Sequence, residues 1–172
     1  MKIKIVNKTG EPEKMLRGIV KLIAKERGLV DNMKVTFQYA RKNLWGRASM
    51  GGQAAVGLRT YNFYGSDAGK VDKDLGWFHK ITMKLTPTWK ENLEVFLQIF
   101  MHEIDHTLGC QHIDMKEWHT IQISDKLLTD VVVKIKEFYP QGSDLPLQTL
   151  LPARQQEIED KLYKLSSPEN PA

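Results

Sequence analysis

Residues 100–115 read FMHEIDHTLGCQHIDM. Within them, His102, Glu103, His106, Gly109 and His112 keep the spacing H-E-x-x-H-x-x-G-x-x-H. Residues four apart on a helix lie nearly above one another, so His102 and His106 point from one face. Two neutral imidazoles at that spacing can bind one zinc ion, and the carboxylate between them can act as general base. Gly109 stands where a helix can end in a left-handed turn. Beyond such a turn the chain can double back and bring His112 to the same ion. Three protein ligands leave one position for water, as in catalytic rather than closed structural sites. Five fixed positions should coincide by ordinary residue frequencies in on the order of one chain in 10⁵ of this length. The pattern is therefore read as a site and not as a helix carrying surface histidines.

A helix must hold this motif, and its start is signalled upstream. Thr88 and Glu91 form a T-x-x-E capping box. The helix it opens should cover residues 89–108, about 30 Å. Leu93, Phe96, Leu97, Phe100, Ile104 and Leu108 gather opposite the histidines, and Val95 and Ile99 lie on the histidine side. A helix apolar on both flanks should be buried between layers, with Glu94, Gln98 and Asp105 left at the solvent edge. Before it, residues 2–6, 35–39, 54–61 and 77–85 read as strands. A helix opens at Glu11-Pro12-Glu13 and ends at Gly28. The glycine-bearing stretches 41–53 and 64–76 read as loops. After it, residues 125–139 and 154–165 are amphipathic helices with Pro140 and Gly142 between them, and 166–172 is a frayed tail. This order of elements is α+β.

The chain has 172 residues, 41% hydrophobic and 27% charged, which suits a globular domain with a buried core. Cys110 is the one cysteine, so no intrachain disulfide can form, and a reducing compartment fits. The first residues, MKIKIVNKTG, lack an apolar h-region, and no run approaches a membrane-spanning length. A cytoplasmic protein without a membrane partner is expected. Net charge is +4, unevenly spread: residues 1–50 carry 12 Lys/Arg against 4 Asp/Glu, and residues 101–172 carry 7 against 12. A basic front half could favour acidic partners or nucleic acid. No aromatic–basic interleaving or nucleic-acid motif is apparent, so it is read as a solvated surface, and nucleic acid is not an expected partner.

From His102 to His112 the chain resembles the metzincin clan of zinc metallopeptidases at all five defining positions. The order of elements over residues 1–115 is similar to that clan's upper half. The resemblance implies a metzincin-like fold, a small twisted mixed sheet over a central zinc-binding helix, with C-terminal helices. Residues 1–122 would be the catalytic domain, and 123–172 a helical segment packed on it. It implies a zinc metalloendopeptidase acting on a peptide or protein substrate. One Zn²⁺ would be held by His102, His106 and His112, with Glu103 as base. The last strand before the helix, Lys80, Ile81, Thr82, Met83, Lys84 and Leu85, would be the sheet edge that pairs with an extended substrate. Met115 is the candidate for the clan's methionine beneath the metal, three residues beyond His112. That spacing is shorter than in most members and assigns no subfamily.

Two alternatives use the same residues differently. His119 stands 13 residues after His106, a spacing similar to that of SprT-like proteases, which act on proteins crosslinked to DNA. His119 would then be the third ligand. The other alternative is a non-catalytic, zinc-stabilised binding module, which needs a fourth protein ligand, and Asp105 is not placed to be one. His79 reads as a strand residue and Cys110 as a small buried side chain.

Overall fold

Period-two alternation is plainest in two segments. Met33, Val35 and Phe37 are buried while Lys34, Thr36 and Gln38 are partly exposed; His79, Ile81, Met83 and Leu85 alternate with Lys80, Thr82 and Lys84 in the same way. Each segment therefore turns one face to a core, as half-buried strands do. The computed structural model describes residues 1–55, 77–110, 112, 117–139 and 147. Its strands are β1 (Ile3–Asn7), β2 (Met33–Tyr39), β3 (Gly51–Ala55) and β4 (His79–Leu85), and its helices are α1 (Glu13–Glu26), α2 (Leu93–Thr107) and α3 (Asp125–Lys136). The described residues thus form an α+β arrangement.

The sheet order is β1-β2-β4-β3. β1, β2 and β4 run parallel, and β3 runs antiparallel to β4, with Gly52 opposite Met83 and Gln53 opposite Thr82. α1 follows from its apolar stripe of Met15, Leu16, Ile19, Val20 and Ile23, all fully buried. It packs on β1 and on α3, while α2 packs on β4 and β3. One core joins these layers. At its centre Trp89, Phe96 and Phe100 follow one another with ring centroids 5.2 and 6.0 Å apart, and Phe37 of β2 lies 6.4 Å from Phe96. Full burial of each such side chain stabilises by about 1.5–3 kcal/mol.

Glu11 and Tyr139, from the chain before α1 and after α3, meet at the start of the α2 segment. The Glu11 carboxylate accepts from Trp89 Nε1 (3.2 Å), from the Tyr139 hydroxyl (3.2 Å) and from Lys90 Nζ (3.0 Å). Lys90 also donates to the Tyr139 hydroxyl at 2.6 Å. Burial works against the Lys90 charge, but these partners outweigh it and raise its pKa above the ordinary lysine value.

Several expectations need correction. Residues 80–85 are not the sheet edge. β4 has β2 on one side and β3 on the other, so its ladder groups are shared with both neighbours. Among the described residues the terminal strand on that side is β3, because β4 inserts between β2 and β3 instead of adding in sequence order. β3 also begins at Gly51, within the stretch read as a loop. The capping box does not form, since the Thr88 side chain makes no cap hydrogen bond. Residues Trp89–Asn92 are a 3₁₀ turn leading into α2. Leu108 is exposed and Gln98 is buried, the reverse of their expected sides. The expected structure of residues 56–61, 64–76, 154–165 and 166–172, Pro140, Gly142 and the role of Met115 all lie outside the described residues. Among the described residues no helix is long and apolar enough to cross a membrane.

Candidate metal centre

α2 ends as its sequence dictates. Gly109 has φ +95°, a conformation that costs L-residues with a side chain. Its N–H bonds to the His106 carbonyl (3.0 Å) and the Cys110 N–H to the Asp105 carbonyl (3.0 Å). This paired closure is the Schellman arrangement. It reverses the chain and returns His112 to the histidine face of the helix.

The three rings converge through their Nε2 atoms. His106 Nε2 is 3.1 Å from His102 Nε2 and 3.0 Å from His112 Nε2. His102 is buried, His106 half-buried and His112 exposed, so the cluster opens towards solvent on the His112 side. His106 Nδ1 donates to the Cys110 carbonyl at 2.9 Å. That bond fixes the tautomer and leaves the His106 Nε2 lone pair free, as outer-shell partners of metal-binding histidines do. One in-plane lone pair cannot accept well from two imidazole N–H groups at once. A cation gathering three lone pairs accounts for the convergence better than hydrogen bonding among the rings. Nitrogens 3.0–3.1 Å apart can be bridged by one ion with bonds of about 2.0–2.1 Å. The cluster could therefore hold a metal ion.

Electrostatics favour the neutral, ligand-ready form of His102. Burial lowers the pKa of His102, and the nearby His106 and His112 lower it further, against a smaller opposing effect of Asp105. Glu103, adjacent in sequence, is buried at 6% exposure. Burial raises its carboxyl pKa above the ordinary value, and His106 partly offsets this.

The strand above this carboxylate is unusually close. A Cβ built on Gly52 of β3 would lie 2.7 Å from Glu103 Cγ and 3.2 Å from Cδ and Oε1. Only glycine leaves that space. A cleft of about 680 Å³ runs here, lined in part by Gly52, Ala54, Glu103, His106 and His112.

Supporting contacts hold the frame. Arg27, at the end of α1, donates to Asp105 Oδ1 at 2.7 Å. Gln98 donates to the carbonyls of His119 and Ile121 at 3.1 and 3.0 Å, which ties the returning chain to the middle of α2. Thr107 gives its hydroxyl proton to the Ile104 carbonyl (2.6 Å), so the buried His79 Nδ1, at 2.7 Å, is the donor to that hydroxyl oxygen. His79 thereby links β4 to the end of α2.

The predicted ligands His102, His106 and His112 are brought together, with Glu103 beside them. His119 is not in this cluster: it is exposed, and its Nε2 lies 3.2 Å from Glu117 Oε2. Cys110 is exposed rather than buried, and its contribution is the backbone carbonyl. Sequence reasoning passed over Gly52 and Gln98. The paired glycines 51 and 52 were the available signal, since glycine within a strand often marks a close backbone approach. No family model, no curated protein and no solved structure matches this chain.

Proposed function

We propose that the chain is a zinc-dependent metalloendopeptidase, related to the metzincin clan by its motif. The observation that carries the reading is a buried glutamate, Glu103, set beside three converging Nε2 atoms in an open cleft. His102, His106 and His112 would hold the zinc, which would lower the pKa of water towards about 7 and polarise the scissile carbonyl. Glu103 takes the proton from the attacking water and passes it to the leaving amine nitrogen. A carboxyl raised by burial is better matched to that task near neutral pH. β3, terminal in the sheet among the described residues and above the cleft, offers main-chain N–H and C=O groups to an extended peptide. This moves the substrate edge from residues 80–85 to Gly51–Ala55.

Glu103→Gln tests the reading. The variant should keep zinc at wild-type stoichiometry, because glutamate is not a ligand, and should lose at least about 10²-fold in peptide hydrolysis. Metal loss along with activity would remove the role assigned to Glu103. Unchanged function in the variant would instead favour a binding module. In the same assay His112→Ala should lose metal and His119→Ala should keep it; the reverse pattern would favour the SprT-like alternative.

A further inference from the structure

We infer that a basic cavity on the outer face of the sheet, next to the candidate site, is a subsite for acidic side chains of the peptide substrate. The inference rests on the peptidase reading and extends it to specificity. The cavity has a volume of about 750 Å³, and Lys8, Arg41, Arg47 and Lys84 line it together with Gln38 and Gln53. No carboxylate is among the described residues that line it. Four cations around one concavity repel one another and focus a positive potential there.

The backbone under these cations is anchored. Lys8 N–H bonds to the Phe37 carbonyl (2.8 Å), and Ala40 N–H, just before Arg41, bonds to the Leu85 carbonyl (2.8 Å). Arg47 closes a turn in which its N–H reaches Asn43 Oδ1 (3.0 Å) and its carbonyl accepts from Asn43 N–H (2.7 Å). The backbone that carries the cations is therefore held before any ligand arrives.

Gln53 joins this cavity to the cleft, for it lines both. Along β3 the faces alternate. Gly52 opposes Met83 and faces Glu103, while Gly51 and Gln53 oppose Lys84 and Thr82 on the outer face. A peptide paired with β3 alternates likewise, at about 3.3 Å per residue. Its side chains would point in turn towards Glu103 and towards the cations. A chain lying on β3 thus reaches both sites. Tyr39 is the one aromatic residue described in the cavity wall, and its hydroxyl is engaged by Gly10 N–H at 3.2 Å. Successive stacking platforms, the usual partner of cations in single-strand nucleic-acid binding, are not seen among the described lining residues. The carboxylates of a peptide are the anions that this arrangement fits.

The test uses zinc-loaded Glu103→Gln protein and fluorescence anisotropy at low salt. The probes are labelled peptides of equal length with Glu, Gln or Lys at alternate positions, and a single-stranded oligonucleotide as competitor. The Glu peptide should bind at least about tenfold tighter than the Gln peptide, with the advantage shrinking as salt rises. Arg47→Ala and Lys84→Ala should each reduce that advantage by about three- to tenfold and leave the Gln peptide unaffected. Arg47→Glu, which alters only an exposed side chain, should shift preference towards the Lys peptide. Equal affinity for Glu and Gln peptides overturns the subsite, as does an oligonucleotide that outcompetes the Glu peptide. Selective binding that Arg47→Ala and Lys84→Ala weaken upholds it whether or not the wild type hydrolyses the peptide, selectivity unchanged in both variants overturns it, and hydrolysis tests the peptidase reading separately.

Discussion

At Gly52 there is no room for a side chain over Glu103. The missing Cβ of Gly52 is what lets β3 lie on the carboxylate. Gly52→Ala must push the carboxylate aside or lift the strand, and the atoms nearest the added methyl belong to Glu103 and not to the three histidines. The variant should keep its metal and its fold yet hydrolyse peptide about 10²-fold more slowly, the usual scale for a misplacement near 1 Å. A rate equal to wild type, with metal bound, would show that the contact has no part in positioning the base. Gly109 is a different kind of glycine. Nothing lies within 4 Å of its missing Cβ, so its constraint is the positive φ alone. Gly109→Ala should cost about 1–2 kcal/mol in stability. Because His112 lies beyond this turn, metal affinity should fall with it, whereas in Gly52→Ala it should not. Metal titration of the two variants side by side separates conformational need from spatial need.

At the scale of elements, what was legible in the sequence was local. The face shared by His102 and His106, the turn at Gly109 and the alternation through β2 and β4 all follow from helix and strand periods, which a sequence displays directly. What was not legible depended on neighbours. Gly51 and Gly52 have loop propensity, and pairing with Lys84 and Met83 of β4 makes them strand residues. The place of β4 inside the sheet depends on where β3 returns, which no pattern within residues 80–85 records. Thr88 and Glu91 match a capping box, but the chain enters α2 through a 3₁₀ turn and the side-chain bond is not made. Gln98 has a polar name and a buried place, because the segment 117–121 passes over α2 and offers two carbonyls to its amide. Gln98→Ala removes the donor of both bonds. It should destabilise the protein by about 1–2 kcal/mol, read as a lower urea midpoint with unchanged slope. Metal affinity should stay within about twofold of wild type, since the three ligands do not depend on that amide. A large loss of metal affinity instead would mean that the returning chain, and not the Gly109 turn, orients His112.

For the whole molecule, the metal would act on the fold as well as on chemistry. His102 and His106 belong to α2, while His112 lies past the reversal at Gly109, so one ion would clip a helix to the chain that leaves it. Such an ion binds the folded state and not the unfolded one, and it stabilises by mass action. At a free zinc concentration about 1,000-fold above Kd the gain is about 4 kcal/mol. In a chain of this size each kcal/mol shifts Tm by about 2–4 °C. Chelation should therefore lower Tm by roughly 8–16 °C. His106→Ala should show no zinc-dependent change in Tm, whatever the loss of its bond to the Cys110 carbonyl does to the baseline. Glu103→Gln should keep the full zinc-dependent increment, which separates the ligand set from the base. The ligands must be neutral to bind, so protons compete with the ion and the increment should shrink as pH falls; burial holds the His102 pKa below the ordinary imidazole value, near 6.5, so that ligand stays neutral to lower pH than a free imidazole. Differential scanning calorimetry with and without chelator, at pH values on either side of that point, measures all of these. A Tm that ignores both zinc and chelator would mean that the three histidines converge without holding an ion, and the catalytic role given to Glu103 would go with it.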